Sequence, residues 1–262
     1  MFRALPAGLL AIVAAGMVAP QVNAVATMVA RAPKTTVLCK HDQHIMAISR
    51  IGAQVIVRND NYGQQKECLR NHNGWSNFTV TKSGAGPGHS EPVAYPNVFL
   101  GCLWGLCTPH SGLPRRVDRV RSLVTSWSTV QRRAGRWSAG YDIWFNRKRT
   151  ITGQNNGAEV MIWLNSHGLS PSQWPIITVD HVRWRLAHWV AGGRTGRTWN
   201  YIQFRRVRPT KAVRRLDVRP FIWAAEHAGL INRRWWLTSV EAGFEIWQGG
   251  VGLGTKSFWA RL

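Results

Sequence analysis

The chain has 262 residues, with 34 Lys+Arg against 12 Asp+Glu and a formal net charge of +22. An apolar content of 45% and 15 Trp support a real core and exclude a disordered chain, while 25 Gly and 12 Pro exclude a coiled coil. The charge invites a nucleic-acid reading and the tryptophans a carbohydrate-stacking one.

In chain order, the first feature resembles an export signal. Arg3 supplies a positive start, Ala4 to Pro20 is apolar, and Val22-Asn23-Ala24 is a small-residue cleavage site. An uncleaved membrane anchor is the alternative, but the stretch is short for one and no basic stop-transfer cluster follows at once. No stable membrane insertion is expected. Residues 25–35 read as a short linker. With no clear internal repeat and no second composition regime, residues 36–262 are expected to form a single domain.

From there the local signal is β. Gln54 to Arg58 is a short strand, and Asn59-Asp60-Asn61-Tyr62-Gly63 has turn chemistry. Phe78 to Thr81 is another strand, ended by a Gly-rich run from Ser83 to Gly88. Further strand-like runs are 124–130, 141–145, 159–164, 183–190, 199–204 and 235–247. Val218 to His227 has helical spacing, with Gly229 as its stop. Many short strands, turn residues between them and one late helix predict an all-β sandwich or jelly roll of antiparallel sheets, with one short helix late in the chain.

The four cysteines are Cys39, Cys68, Cys102 and Cys107. An even count in an exported chain points to two disulfides. Three pairings are open. The tight loop between Cys102 and Cys107 favours 102–107 with 39–68. A zinc site is the alternative, but only one pair is closely spaced.

Two strands carry unusual faces. In Glu159 to Leu164, Val160, Ile162 and Leu164 share one side, and Glu159, Met161 and Trp163 share the other. In Ser239 to Trp247, Val240, Ala242, Phe244 and Ile246 oppose Glu241, Gly243, Glu245 and Trp247. Tyr141 to Phe145 repeats the pattern with Asp142 and Trp144. Acids beside aromatics on one concave face meet the needs of a retaining glycosidase, whose two carboxyls stand about 5–5.5 Å apart. That separation is close to the spacing of neighbouring strands. Solvated strand-face acids are the alternative.

These residues resemble glycoside hydrolase family 12, the secreted endo-β-1,4-glucanases and xyloglucanases with a curved jelly-roll fold. Tyr141-Asp142-Ile143-Trp144 is similar to the family's Y-D-[IL]-W segment, Glu159 to Trp163 to E-[IV]-M-I-W, and Ala242-Gly243-Phe244-Glu245 to A-G-F-E. Tyr95-Pro96, Gly101-Cys102 and Gly105-Leu106-Cys107 match its loop pattern, and Thr125 to Ser128 and Gly249 to Leu253 also fit. The resemblance implies a nucleophile at Glu159, a general acid/base at Glu245 and a helper acid at Asp142. Asn61, Tyr62, Met161, Trp163 and Trp247 would bind substrate, and the disulfide pairing agrees. No cofactor and no metal are implied.

Three departures stand out. Tyr62 replaces the stacking Trp of the N-N-x-W-G loop. Glu241 stands where the family often has Gln; it shares a face with Glu245 but lies roughly 13 Å along the strand, as a rim or subsite residue. The Q-P-I-G segment becomes Gln173 to Ile177, followed by an unusually basic stretch from Arg183 to Arg208.

The expected function is therefore a secreted retaining endo-β-1,4-glucanase, or a xyloglucan-specific endoglucanase. The remaining alternatives are a non-catalytic glucan binder and an anionic-polymer binder. The partners expected are a β-glucan substrate and nonspecific anionic cell-wall polymers. The protein is expected to be a monomer outside the cell, with a cell-wall-associated form open. No nucleic acid is expected, because the basic residues fall in small clusters without a recognised binding motif. Arginines around the acids predict lowered carboxyl pKa values and an acidic optimum.

Overall fold

The computed structural model describes residues 35–63, 65–170, 173–192 and 196–262. The expected signal segment and all of the linker but Thr35 lie outside the described residues. In chain order the strands are β1 (Thr35–Leu38), β2 (His44–Ile48), β3 (Gln54–Arg58), β4 (Glu67–His72), β5 (Phe78–Ser83) and β6 (Asn97–Leu103). Next come β7 (Leu106–Cys107), β8 (Arg115–Arg116), β9 (Val124–Val130), β10 (Arg136–Asn146), β11 (Ala158–His167) and β12 (Ile176–Val179). The last are β13 (Val182–Gly192), β14 (Thr198–Arg206), β15 (Ala212–Asp217), β16 (Trp236–Gly243), β17 (Ile246–Gln248) and β18 (Gly254–Arg261). The helix α1 (Arg219–His227) lies between β15 and β16 and ends at Ala228 and Gly229, the latter at φ +71°.

Two sheets pack face to face. One is six-stranded, in the order β1-β4-β5-β18-β9-β15. The other is twelve-stranded along β12-β13-β14-β11-β10-β16-β6-β3-β2, with β7, β8 and β17 attached at its side. This is the expected jelly-roll sandwich with one correction: β11 and β14 pair in parallel, Glu159 beside Tyr201. The chain leaves β11, forms the β12–β13 hairpin and returns antiparallel to β13, so β14 runs with β11. Thr35, the last residue of the expected linker, already pairs with His72 in β1.

Period-2 alternation builds the core between the sheets. Val160, Ile162 and Leu164 meet Ile143, Phe145, Val240, Ala242 and Phe244 there. Trp127 sits at its centre, edge-on to Tyr141 and against Phe244, with its indole N–H donated to Thr255 Oγ1 at 3.0 Å.

The expected strand over 235–247 is broken. β16 pairs with β10 and β6, whereas β17 pairs with β10 lower down, at Arg136 and Trp137. The break follows Gly243, where a Cβ would stand 2.6 Å from the Pro96 carbonyl oxygen, so only glycine fits. Both favoured disulfides form, Cys39–Cys68 and Cys102–Cys107. The second spans the β6–β7 hairpin, whose Trp104-Gly105 tip has φ of +51° and +90°, as a primed turn needs.

Candidate active site

The outer face of the twelve-stranded sheet would be solvated if the sheet were flat. Instead Asp142, Glu159 and Glu241 are 7%, 8% and 1% exposed. The sheet therefore curls over this face, helped by register shifts in β10 at Ala139/Gly140 and Trp144/Phe145. Aromatic groups complete the lining. Met161, Trp163 and Trp247 pack with Leu169 and Tyr201, and Trp144 packs with Ile56, Phe99, Leu103 and Trp199.

The structure brings the three predicted acids to this one face. It does so through an intermediate strand, because β11 and β16 both flank β10 and are not neighbours. Asp142 of β10 lies between Met161 and Glu241 in register, and Trp144 lies opposite Glu159. Convergence on the concave side, rather than direct strand pairing, brings the carboxyls together.

Each acid has its own donor. Glu159 Oε2 accepts the Trp199 indole N–H at 2.6 Å. Glu245 Oε2 accepts the Ser138 hydroxyl at 2.8 Å, while Ser138 N–H holds the Glu245 carbonyl at 2.9 Å. Asp142 Oδ2 accepts the Trp144 indole N–H at 2.9 Å, and its Oδ1 is buried without a partner.

Burial is the largest influence on the titration of each acid. Burial pushes Glu245 up to about 7, assisted by Glu91 and opposed by the Ser138 hydrogen bond. Burial also raises Glu159 well above the usual carboxylate range; the Trp199 hydrogen bond opposes this, and the charges of Glu245 and Glu241 add to it. Asp142 is raised by burial and by Glu159, Glu241 and Glu245. The expected lowering by surrounding arginines is absent at all three: burial dominates, and no arginine is among the charges that act on them.

Glu241 is corrected from a rim residue to a buried one at the floor. Ser239 Oγ donates to its Oε1 at 3.1 Å, and burial raises its pKa to about 8, with Arg58 pulling it down. Arg58, from the distant β3, is also paired with Asp42 at 2.6 Å and Asp60 at 3.1 Å.

The predicted sugar contacts divide. Tyr62 is 42% exposed, and its phenol feels Glu245, Glu159 and Asp142, so it overlooks the acids. Asn61 instead turns inward: its amide donates to the Gln65 carbonyl at 2.8 Å and its oxygen meets His41 Nδ1 at 3.0 Å. It shapes the loop that presents Tyr62. Met161 is floor, and Trp163 is a wall braced edge-on by Trp247, whose own N–H is donated to the Ser90 carbonyl. Trp199 and Ser138 are the residues that sequence reasoning missed. The alternation of Trp199, Tyr201 and Gln203 marked one face of a strand, but nothing local revealed that this strand lies beside Glu159.

A twelve-stranded curved sheet with buried acids facing aromatic walls defines a carbohydrate-cleaving site of the two-carboxylate class. The chain belongs to glycosyl hydrolase family 12, whose family profile matches residues 72–262. It is 30% identical over 153 residues to a probable cellulase, Cel12b, of Mycobacterium tuberculosis, covering 58% of this chain and 98% of that protein. It is 36% identical to the endoglucanase Cel12A of Rhodothermus marinus, with a TM-score of 0.78 over 86% of this chain and 98% of the other. A family 12 xyloglucanase of Bacillus licheniformis shares the fold at 20% identity and a TM-score of 0.75, covering 87% of this chain and 99% of that one.

Proposed function

We propose that the protein is a secreted retaining endo-β-1,4-glucanase. Glu159 attacks the anomeric carbon. Glu245 protonates the departing glycosidic oxygen and then takes a proton from the water that releases the glycosyl-enzyme. Asp142 is the helper acid beside the nucleophile. The observation that carries this is the meeting of Glu159 and Glu245 on one aromatic-lined face, each held by a donor of its own. Burial raises both: Glu245, at about 7, holds a proton to give, and the Trp199 hydrogen bond offsets part of the rise at Glu159. The endoglucanase relatives support the glucan substrate. Two disulfides, which persist in oxidising compartments, support export.

Nuclear magnetic resonance of the first products from a soluble β-glucan tests the mechanism. A β-anomer is expected, and an initial α-anomer overturns retention. Initial rates on cellulose-type, mixed-linkage and xyloglucan chains test the substrate; cleavage of xyloglucan alone would replace the present reading.

A further inference from the structure

Beyond Glu159, the same outer face continues across β14 and β13, and register divides it into rows. Glu159, Tyr201 and Trp189 form one row, Met161, Gln203 and Ala187 the next, and Trp163, Arg205 and Arg185 the third. The first row is aromatic: Trp189 stacks on Tyr201 with centroids 4.2 Å apart, and Trp189 is 44% exposed. The third is cationic. Rows two residues apart along a strand are about 6.7 Å apart, so an aromatic wall and a cationic wall flank a floor of Gln203 and Ala187.

The cationic row is anomalous. Arg185 and Arg205 stand directly opposite each other on paired strands, an arrangement that like charges destabilise. Burial and Arg185 both lower the Arg205 pKa. Neither has a carboxylate partner: among the described residues, arginine ion pairs are made only by Arg58 and Arg116. Arg205 is nevertheless held in place, over the Trp163 ring at 5.7 Å and donating to Ser166 Oγ at 2.7 Å and the Ser170 carbonyl at 2.8 Å. Arg185 donates to the Trp174 carbonyl at 3.4 Å. Two oriented, uncompensated guanidiniums beside an aromatic stacking surface form a receptor for a sugar that carries an anion.

We propose that this arm of the cleft binds a β-glucan chain bearing carboxylates, such as uronic acid units, with the pyranose stacked on Trp189 and the carboxylate held by Arg185 and Arg205. The proposal rests on the glucanase reading above and names a substrate class within it. The two guanidiniums lie out on β13 and β14, so the anion is accepted there, away from the catalytic acids.

The test compares a soluble β-glucan with its partly C6-carboxylated form, reading kcat/KM at low ionic strength. The carboxylated form should be favoured by about tenfold, as expected for one charge-assisted pair, and the preference should shrink with added salt. R185Q and R205Q should each reduce the ratio of the two kcat/KM values toward one. Arg185→Lys should restore part of it, and R214Q, which removes the same charge from β15, should leave the ratio unchanged. Equal use of the two glucans by the parent protein, or an equal fall of the ratio in R214Q, overturns the proposal. Calorimetric binding of neutral and carboxylated oligosaccharides to Glu245→Gln decides the case in which neither polymer is cut. Preferential carboxylated binding there sustains this arm while the glucanase reading fails; equal binding removes the proposal.

Discussion

Trp199→Phe isolates one hydrogen bond at the proposed nucleophile. The substitution keeps an aromatic ring against Trp144 and removes the N–H that Glu159 Oε2 accepts at 2.6 Å. A hydrogen bond to a charged group contributes about 1.5–3 kcal/mol, and one pKa unit corresponds to about 1.4 kcal/mol. The Glu159 pKa should therefore rise by about 1–2 units. Its carboxylate must be ionised to attack, so the acidic limb of kcat/KM against pH moves up by that amount. Below the limb the rate falls by about 10- to 100-fold. The basic limb, governed by loss of the Glu245 proton near 7, stays in place, so the profile narrows. The two carboxyls interact, so the limbs report the pair rather than single residues. The assay is initial rates on a soluble β-glucan across pH, with melting temperature as a check on folding. An unmoved acidic limb with a raised KM would refute the argument and make Trp199 a sugar-stacking residue.

Glu245→Gln should lower kcat by about 10²–10⁴-fold with the fold intact by circular dichroism; wild-type rates in that variant would remove Glu245 from the mechanism. Glu67 is buried with both carboxylate oxygens unpartnered and its pKa raised to about 8. The folded state therefore holds a proton that the unfolded state loses, and stability falls as pH rises between the ordinary Glu value and about 8. The slope is about 1.4 kcal/mol per pH unit at most. Glu241 and Glu245 add slopes of the same sign, so urea melts of Glu67→Gln should show a shallower slope than the parent, and an equal slope would remove Glu67 from the effect. Removing Cys39–Cys68, which spans 29 residues, should cost about 3–4 kcal/mol by loop entropy, measured as a fall in denaturation midpoint. A cost below about 1 kcal/mol would show that the unfolded chain is not constrained by this link.

Much of this site is local in origin. Side chains alternate along a strand whatever the strand's neighbours are, so Glu159, Met161 and Trp163 separate from Val160, Ile162 and Leu164 without any tertiary knowledge. The same parity placed Asp142 with Trp144. It overreached at Glu245, which lies past the end of β16 and keeps its inward aim through the Gly243 break and the Ser138 hydrogen bonds.

The β class, the faces of the strands, the family motifs and the Cys102–Cys107 link were legible in the sequence, because each depends on spacing within a short segment. Which faces meet depends on long-range strand pairing. The parallel pairing of β11 with β14 sets Trp199 on Glu159 and Arg205 beside Trp163, and β3 brings Arg58 to Glu241. Titration was decided there too. The many arginines of a +22 chain predicted lowered carboxyl pKa values. Curling the sheet removed water from the acids, and desolvation with mutual repulsion raised Asp142 and Glu159, while among the acids of this face Arg58 lowers only Glu241.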